Sequence, residues 1–502
     1  MQMKKNDNYD FGIATRQSYV AILIIMYRLY KIIIRQLIPV FIIVLLKGSI
    51  SKSPWFIYAI IALALVGGMY SIIAFFKYYF YVKDNKLIVE KGVFKKSVLE
   101  IPFDRIQSVN TEQNLIHRVF KVVKLNMDTA GSAGNELQLF ALDMNLASQL
   151  NAKILKEQKQ VEIQESLDTH VQKPEKKIIF HLSIPQLLKV GVTENHIRSG
   201  GILLFFFFYI FDSLEDVGLD LIDKSEEYLP AAQELVQSLI VVLVLIALFG
   251  IVAFIISLVR TVLKFYDLKM YRKGEGFIIV SGLLNKKERA AKDDKIQLVK
   301  WSQNLLQRWS GIYEILMKQA SSQEVGEQKS FKVVGLSKSN VFDTQAYVFK
   351  ERYSELYKLP MQGINSYYFI RRLLLWSYFF IPILVVLGIY GKWILSVYIA
   401  ALYILAILGS HLAFKKKKYG LGNEMLRIDG GTFGRKSTAM PLFKVQNISL
   451  TETPFQRRRK LGSLVIYTAS GEMKIPEIPR QKALELLNYL VYKVEVQKEK
   501  WM

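Results

Sequence analysis

The stretch DRIQSVNTEQNLIHR, Asp104 to Arg118, occurs again as DKIQLVKWSQNLLQR, Asp294 to Arg308, and in looser form as FKVQNISLTETPFQR, Phe443 to Arg457. The Gln-to-Arg spacing is the same each time: Gln107 to Arg118, Gln297 to Arg308, Gln446 to Arg457. A fixed spacing that recurs is the mark of an internal repeat. Extending the register outward without gaps brings more positions together. Gly92, Gly282 and Gly431 each stand fifteen residues before the repeated Gln. Pro102 and Pro441 coincide, with Lys292 between them in the series, and so do Ile106, Ile296 and Val445. Downstream, Ala130, Ala320 and Ala469 align. The gapless register covers 39 residues in each copy.

Each copy opens with short runs of period-two alternation around a glycine: KLIVEKGVFKKSVLEI, GFIIVSGLLNKKERAA and EMLRIDGGTFGRKSTAM. That pattern predicts β-hairpins. Each copy closes on an amphipathic helical pattern, about Leu142–Lys156, Val341–Leu356 and Arg480–Val494. The expected unit is therefore six or seven short strands followed by one helix. Such a unit folds as a small, strongly bent antiparallel sheet or barrel with a cap.

The chain around these units is apolar. Of its 502 residues, 51% are hydrophobic and 13% aromatic. A membrane-spanning helix needs about 20 largely apolar residues. Trp55–Phe76, Leu235–Val259, Leu373–Tyr390 and Trp393–Phe414 contain no Asp, Glu, Lys or Arg, and the shorter runs Gln36–Leu46 and Ser199–Phe211 each precede one of them. The expectation is an α+β membrane protein with about six transmembrane helices in three hairpins, each followed by one β-sandwich or barrel. The boundaries read as 1–76 for the N-terminal segment and first hairpin, 77–165 for unit 1, 166–198 for a linker with an interfacial helix, 199–259 for the second hairpin, 260–360 for unit 2, 361–414 for the third hairpin and 415–502 for unit 3. Arg28, Lys31, Arg35, Lys77, Arg260, Lys264 and Arg371-Arg372 flank the runs, whereas DSLEDVGLDLIDKSEEYLPAAQE, Asp212 to Glu234, carries eight acids and one Lys. Positive flanks stay on the cytoplasmic side. The termini and the three units are thus expected there, in a multi-pass protein of the cell membrane, with the acidic loop outside.

The combination of Gly92, Lys96, Pro102, Arg105, Ile106, Gln107, Arg118, Thr129 and Ala130 with Gly431, Arg435, Pro441, Lys444, Val445, Gln446, Arg457, Thr468 and Ala469 resembles the bacterial pleckstrin-homology-like (PH-like) domain of the second type, formerly a domain of unknown function. With three copies, the chain looks like the YdbT-like membrane proteins of Gram-positive bacteria. The resemblance implies two nearly orthogonal sheets closed by a C-terminal helix. It also implies a role in envelope stress, including resistance to antimicrobial peptides, and a membrane protein partner in the form of a smaller one-domain relative. The second copy departs most, with Lys292 for the Pro and Gln319 for the Thr.

Two readings of the repeated Gln and Arg stand side by side. They hold the repeat's own fold, or they form a binding edge in which Arg grips a carboxylate or phosphate. The basic groups Lys95, Lys96, Lys286, Lys287, Lys415, Lys416, Lys417, Lys418, Arg457, Arg458, Arg459 and Lys460 are candidates for contact with anionic lipid. Alternatively, the Lys415–Lys418 run serves only to fix topology. The net charge of +24 fits a membrane surface, and no nucleic-acid partner is expected.

The chain has no Cys, which excludes disulfides and thiolate chemistry, and its five His form no ligand cluster, so no metal or other cofactor is expected. The glycines of Gly274–Gly276 and Gly430–Gly434 lie in predicted hairpins rather than before helices, so they do not form a phosphate cradle. The expected class is a non-enzymatic membrane scaffold. The alternative is a lipid or solute translocator working through a six-helix bundle.

Overall fold

The computed structural model describes residues 9–47, 54–129, 137–163, 177–194, 248, 250–319 and 330–496. Its plan is three copies of one module. Module 1 has β1 (Tyr79–Lys83), β2 (Lys86–Lys91) and β3 (Ser97–Pro102) as a first antiparallel sheet. A 3-10 turn at Phe103–Arg105 leads into the second sheet, β4 (Ile106–Gln113), β5 (Val122–Thr129) and β6 (Leu137–Asp143), and then into the helix Met144–Ile163. Module 2 repeats this with β7 (Lys177–His181), β8 (Lys269–Arg272), β9 (Gly276–Ser281), β10 (Lys286–Lys292), β11 (Ile296–Gln303), β12 (Tyr313–Gln319) and β13 (Ser330–Leu336). Module 3 has β14 (Gln362–Gly363), β15 (Lys418–Leu421), β16 (Met425–Gly430), β17 (Arg435–Pro441), β18 (Val445–Thr451), β19 (Leu461–Thr468), β20 (Gly471–Pro479) and the helix Arg480–Val496.

Alternation decides which side chains fill each core. In module 1 Phe80, Leu87, Val89, Ile101, Phe103, Leu125, Met127 and Leu139 meet Leu146, Leu150 and Ile154 of the closing helix. In module 3 Leu426, Ile428, Met440, Leu464 and Ile466 meet Ala483, Leu486 and Leu490. Each fully buried side chain of this kind contributes roughly 1.5–3 kcal/mol relative to exposure.

The sheets do not stop at module borders. β4 of module 1 pairs antiparallel with β10 of module 2, and β11 of module 2 pairs with β17 of module 3. The result is two continuous seven-stranded sheets, β6-β5-β4-β10-β9-β8-β7 and β13-β12-β11-β17-β16-β15-β14, with β1-β2-β3 and β18-β19-β20 at the ends of the row.

The membrane expectation needs correction. Among the described residues two helices, not six, are long and apolar enough to cross a bilayer: Tyr367–Ile389 and Trp393–Lys416, each with mean hydropathy 2.1. They pack on each other through a tight turn at Gly391, whose φ is +65°. The Gln36–Leu46 run is the C-terminal part of a longer helix, α1 (Val20–Lys47), which packs on α2 (Pro54–Phe76). The first turns of α1 belong to a protein core, because Ala21 and Ile24 are buried with Phe75, Val122 and Ala141 of module 1. Arg28, Lys31 and Arg35 also lie within α1. Run length alone could not separate a helix docked on a sheet from one surrounded by lipid. The Ser199–Phe211 run, most of the Leu235–Val259 run and the acidic loop lie outside the described residues.

The helix Ile184–Thr193 begins at a capping box on Ser183 and buries Leu187 and Val190 in the core of module 2, while Ile184, Leu188 and Val192 on its other face are exposed.

Candidate functional site

The two seams between modules use the same register. Lys286 stands opposite Gln113 in the first, and Arg435 opposite Gln303 in the second. In the gapless repeat alignment Lys286 and Arg435 are one position, and Gln113 and Gln303 another. Three residues of each strand pair at the first seam and five at the second.

Side chains reinforce both seams. At the first, Arg118 Nη1 donates to the Leu283 carbonyl at 2.7 Å, reaching from module 1 into the β9–β10 hairpin. Lys287 Nζ lies 3.4 Å from Glu112 Oε1, and the Asn110 amide oxygen accepts from Ala290 N at 3.3 Å. Beside the second seam, and within module 3, Lys416 Nζ donates to the carbonyls of Thr432, Phe433 and Gly434 at 2.6, 3.0 and 3.0 Å. Thr432 aligns with Leu283, so the same hairpin carbonyl is capped by a cation in both modules, by Arg118 of the neighbouring module at the first seam and by Lys416 of the same module at the second. Lys444 donates to the Asp294 carbonyl, Lys318 donates to the Ser470 carbonyl at 3.3 Å, and the Arg427 guanidinium lies 5.4 Å from the Trp301 ring centre.

The glycines of the signature have a geometric cause. Gly92, Gly282 and Gly431 have φ of +123°, +109° and +113°, and a Cβ on them would lie 1.9, 2.2 and 2.7 Å from the carbonyls of Lys95, Asn285 and Gly434. Only glycine adopts this turn without strain. Ile106, Ile296 and Val445 are core residues. Pro102 and Pro441 lead into the 3-10 turns.

The repeated Gln falls at a β-bulge in every copy. The register shifts between Ile106 and Ser108, between Ile296 and Leu298, and between Val445 and Asn447. A bulge inserts one residue and sharpens the bend of a small sheet. Sequence spacing alone did not reveal this. Gln297, beside the second seam, is fully buried, and Gln446, at the end of the row, is exposed.

The repeated Arg lies in a short helix whose cap also recurs: Asn114, Asn304 and Thr453 accept from the backbone N–H of His117, Gln307 and Gln456. His117 is buried and its Nε2 lies 2.8 Å from the Phe140 carbonyl. Burial lowers its pKa below the ordinary histidine value. Arg118 crosses a seam, Arg308 comes within electrostatic reach of Lys416, and Arg457 is 77% exposed with its Nε 3.8 Å from Glu452. Ala469 sits in the β19–β20 turn, whereas Ala130 and Ala320 lie outside the described residues.

The basic positions scatter. Lys96 pairs with Glu90 at 2.7 Å, Lys286 and Lys287 sit on the first seam, and Lys416 caps the hairpin of module 3. Burial lowers the pKa of Lys417, with Lys436 adding to the effect. Arg459 lies over the Tyr367 ring at 4.7 Å, and Lys460 occupies a turn at φ +54°. Lys95, Lys415, Lys418 and Arg458 are exposed. A cluster that sequence reading missed is Lys300, whose pKa falls to about 8 through burial first and then through Lys318 and Lys436.

Three bent modules, each of two antiparallel layers of three or four strands closed by a helix, and joined by apolar helices, define a membrane-associated protein of tandem PH-like domains. The family model of the bacterial PH domain matches residues 33–158, 227–352 and 378–494, and the chain belongs to that family. Along most of its length it is similar to the UPF0699 transmembrane protein YdbT of Bacillus subtilis (strain 168). The two are 22% identical over 470 residues, which is 89% of this chain and 90% of the relative.

Proposed function

We propose that the chain is a non-enzymatic scaffold of the cell membrane, multi-pass, whose PH-like modules lie on the cytoplasmic side. There they hold a membrane protein partner, a smaller one-domain relative, against the lipid. The observation that supports this most is the fusion of neighbouring modules into continuous sheets. A row of this kind presents several weak contact sites at fixed spacing, and fixed spacing turns weak contacts into high effective concentration. The exposed Lys95, Lys415, Lys418 and Arg458 supply charge for anionic headgroups.

In the cell the scaffold serves defence of the envelope against stress, including membrane-active cationic peptides. The test is crosslinking in intact cells followed by purification and mass spectrometry. A stoichiometric membrane protein recovered with the chain supports the scaffold reading, and recovery of lipid alone counts against it. A deletion strain should be more sensitive to cationic peptides and regain resistance on complementation. Unchanged sensitivity would remove the envelope role.

A further inference from the structure

The row of modules ends in two strands that are the unmatched halves of its own seam. β18 occupies the place that β4 and β11 hold in the other modules, and β3 the place of β10 and β17. Among the described residues β18 pairs only with β19, and β3 only with β2. We propose that these ends dock on each other between two copies of this chain, β18 of one with β3 of the next, by the antiparallel pairing already used twice within the chain. The proposal goes beyond the scaffold reading and does not depend on a partner being held.

The register is dictated by the two existing seams. Lys287 opposite Glu112 and Lys436 opposite Ser302 project onto Ser97 opposite Thr451. Lys96 then faces Glu452, an opposite-charge pair, and Val98 faces Leu450. Pro102 falls beyond the paired stretch, as Pro441 does at the second seam, where pairing ends at Ala439. A proline there removes no ladder hydrogen bond.

Exposure separates the free ends from their seamed counterparts. Ser437, Thr438 and Ala439 of β17 are buried, whereas at the aligned positions of β3 Val98 and Glu100 are exposed, Val98 by 51%, and Leu99 is half-buried. Phe94 in the hairpin before β3 is 95% exposed. At the opposite end Arg457 takes the place of Arg118, and the carbonyl aligned with Leu283 is that of Val93. Docking would give Arg457 the acceptor that Arg118 already has. Unmatched edges of this length invite pairing with another chain. A head-to-tail contact links copies into a ring or a chain within the membrane plane.

The absence of native cysteine makes the test clean. Ser97→Cys and Thr451→Cys are placed on separate, differently tagged full-length copies expressed together, and the membranes are oxidised mildly. The intramolecular pair Ser302→Cys with Lys436→Cys, at the equivalent position of an existing seam, calibrates the oxidation. The expected result is a disulfide-linked dimer only when both single variants are present, and a ladder of larger species from the doubly substituted chain. Adding Arg457→Gln should lower the linked fraction roughly fivefold, as loss of one solvent-exposed hydrogen bond would. A dimer from Thr451→Cys alone would overturn the proposal in favour of like edges meeting. Linkage of either cysteine to a different protein would replace the second copy as occupant. No linked species while the intramolecular pair closes would leave the ends unpaired and sink the idea.

Discussion

The two seams share a register and differ in what holds them. The first is an edge joined to an edge: three paired residues, a guanidinium on a carbonyl and one lysine–glutamate pair. The core of module 1 stays its own. At the second, the cores merge, since Met425 and Ala439 of module 3 are buried in the core of module 2, and Leu298 of module 2 in that of module 3. Main-chain pairing thus sets the geometry of the row, and shared apolar burial sets how firmly each joint is held. Modules 2 and 3 should unfold together, with the first seam the place where the row opens.

The largest expected effect is at the second seam. A Cβ at Gly434 would lie 2.2 Å from the Gln303 carbonyl across the joint. Gly434→Val should therefore cost on the order of 1–3 kcal/mol, as overpacking does, and expose β11 and β17 to hydrogen exchange. Protection unchanged in both strands would mean the second joint is looser than its merged cores imply.

Acid should act on module 1 through His117. The pKa of His117 is lowered in the folded chain, so the unfolded chain takes up a proton first as pH falls through the ordinary histidine range. Stability of module 1 is then lost as pH drops below about 6.5, down to the depressed folded value. His117→Gln, which installs the residue found at the aligned positions 307 and 456, should flatten that slope in a pH series of thermal melts. A slope that persists would place the acid sensitivity elsewhere.

Alkali should act on the second seam. Lys300 has a folded pKa of about 8. As pH rises from there towards the unfolded lysine value of about 10.4, the folded chain releases its proton first and the joint gains stability. Lys300→Met should remove the gain, and a melt that still rises with pH in the variant would assign it to another group. The smallest effect is expected from Arg118→Gln. It should loosen the first seam by about 0.5–1.5 kcal/mol, read as faster exchange in β10, with β17 unaffected.

Much of the module was legible in the residues. Glycine between alternating runs marked the hairpins because positive φ excludes side chains, and repeat spacing marked the unit. The seams were not legible. A strand that pairs on both edges alternates just as one that pairs on one edge does, because edge pairing uses the main chain. The one trace was STAMP, Ser437 to Pro441, buried at consecutive positions where the aligned VLEIP, Val98 to Pro102, is not. Basic clusters misled for a related reason: Lys287 read as surface charge and pairs across the first seam, and Lys416 caps a hairpin within its own module. Membrane spans were overcounted because apolar run length does not distinguish lipid from a docked sheet, as Phe75 illustrates at the end of the Trp55–Phe76 run, buried with Val122 and Ala141 of module 1.

The joint between β4 and β10 carries a cost in time. β4 ends at Gln113, and the strand that covers its outer edge begins only at Lys286. At ribosomal rates of about 5–20 residues per second, the intervening stretch takes roughly nine to thirty-five seconds to make. During that interval module 1 is a finished β-sheet with an open edge, facing other nascent chains at the membrane. A cell making this protein must keep newly made copies apart until each has closed its own row.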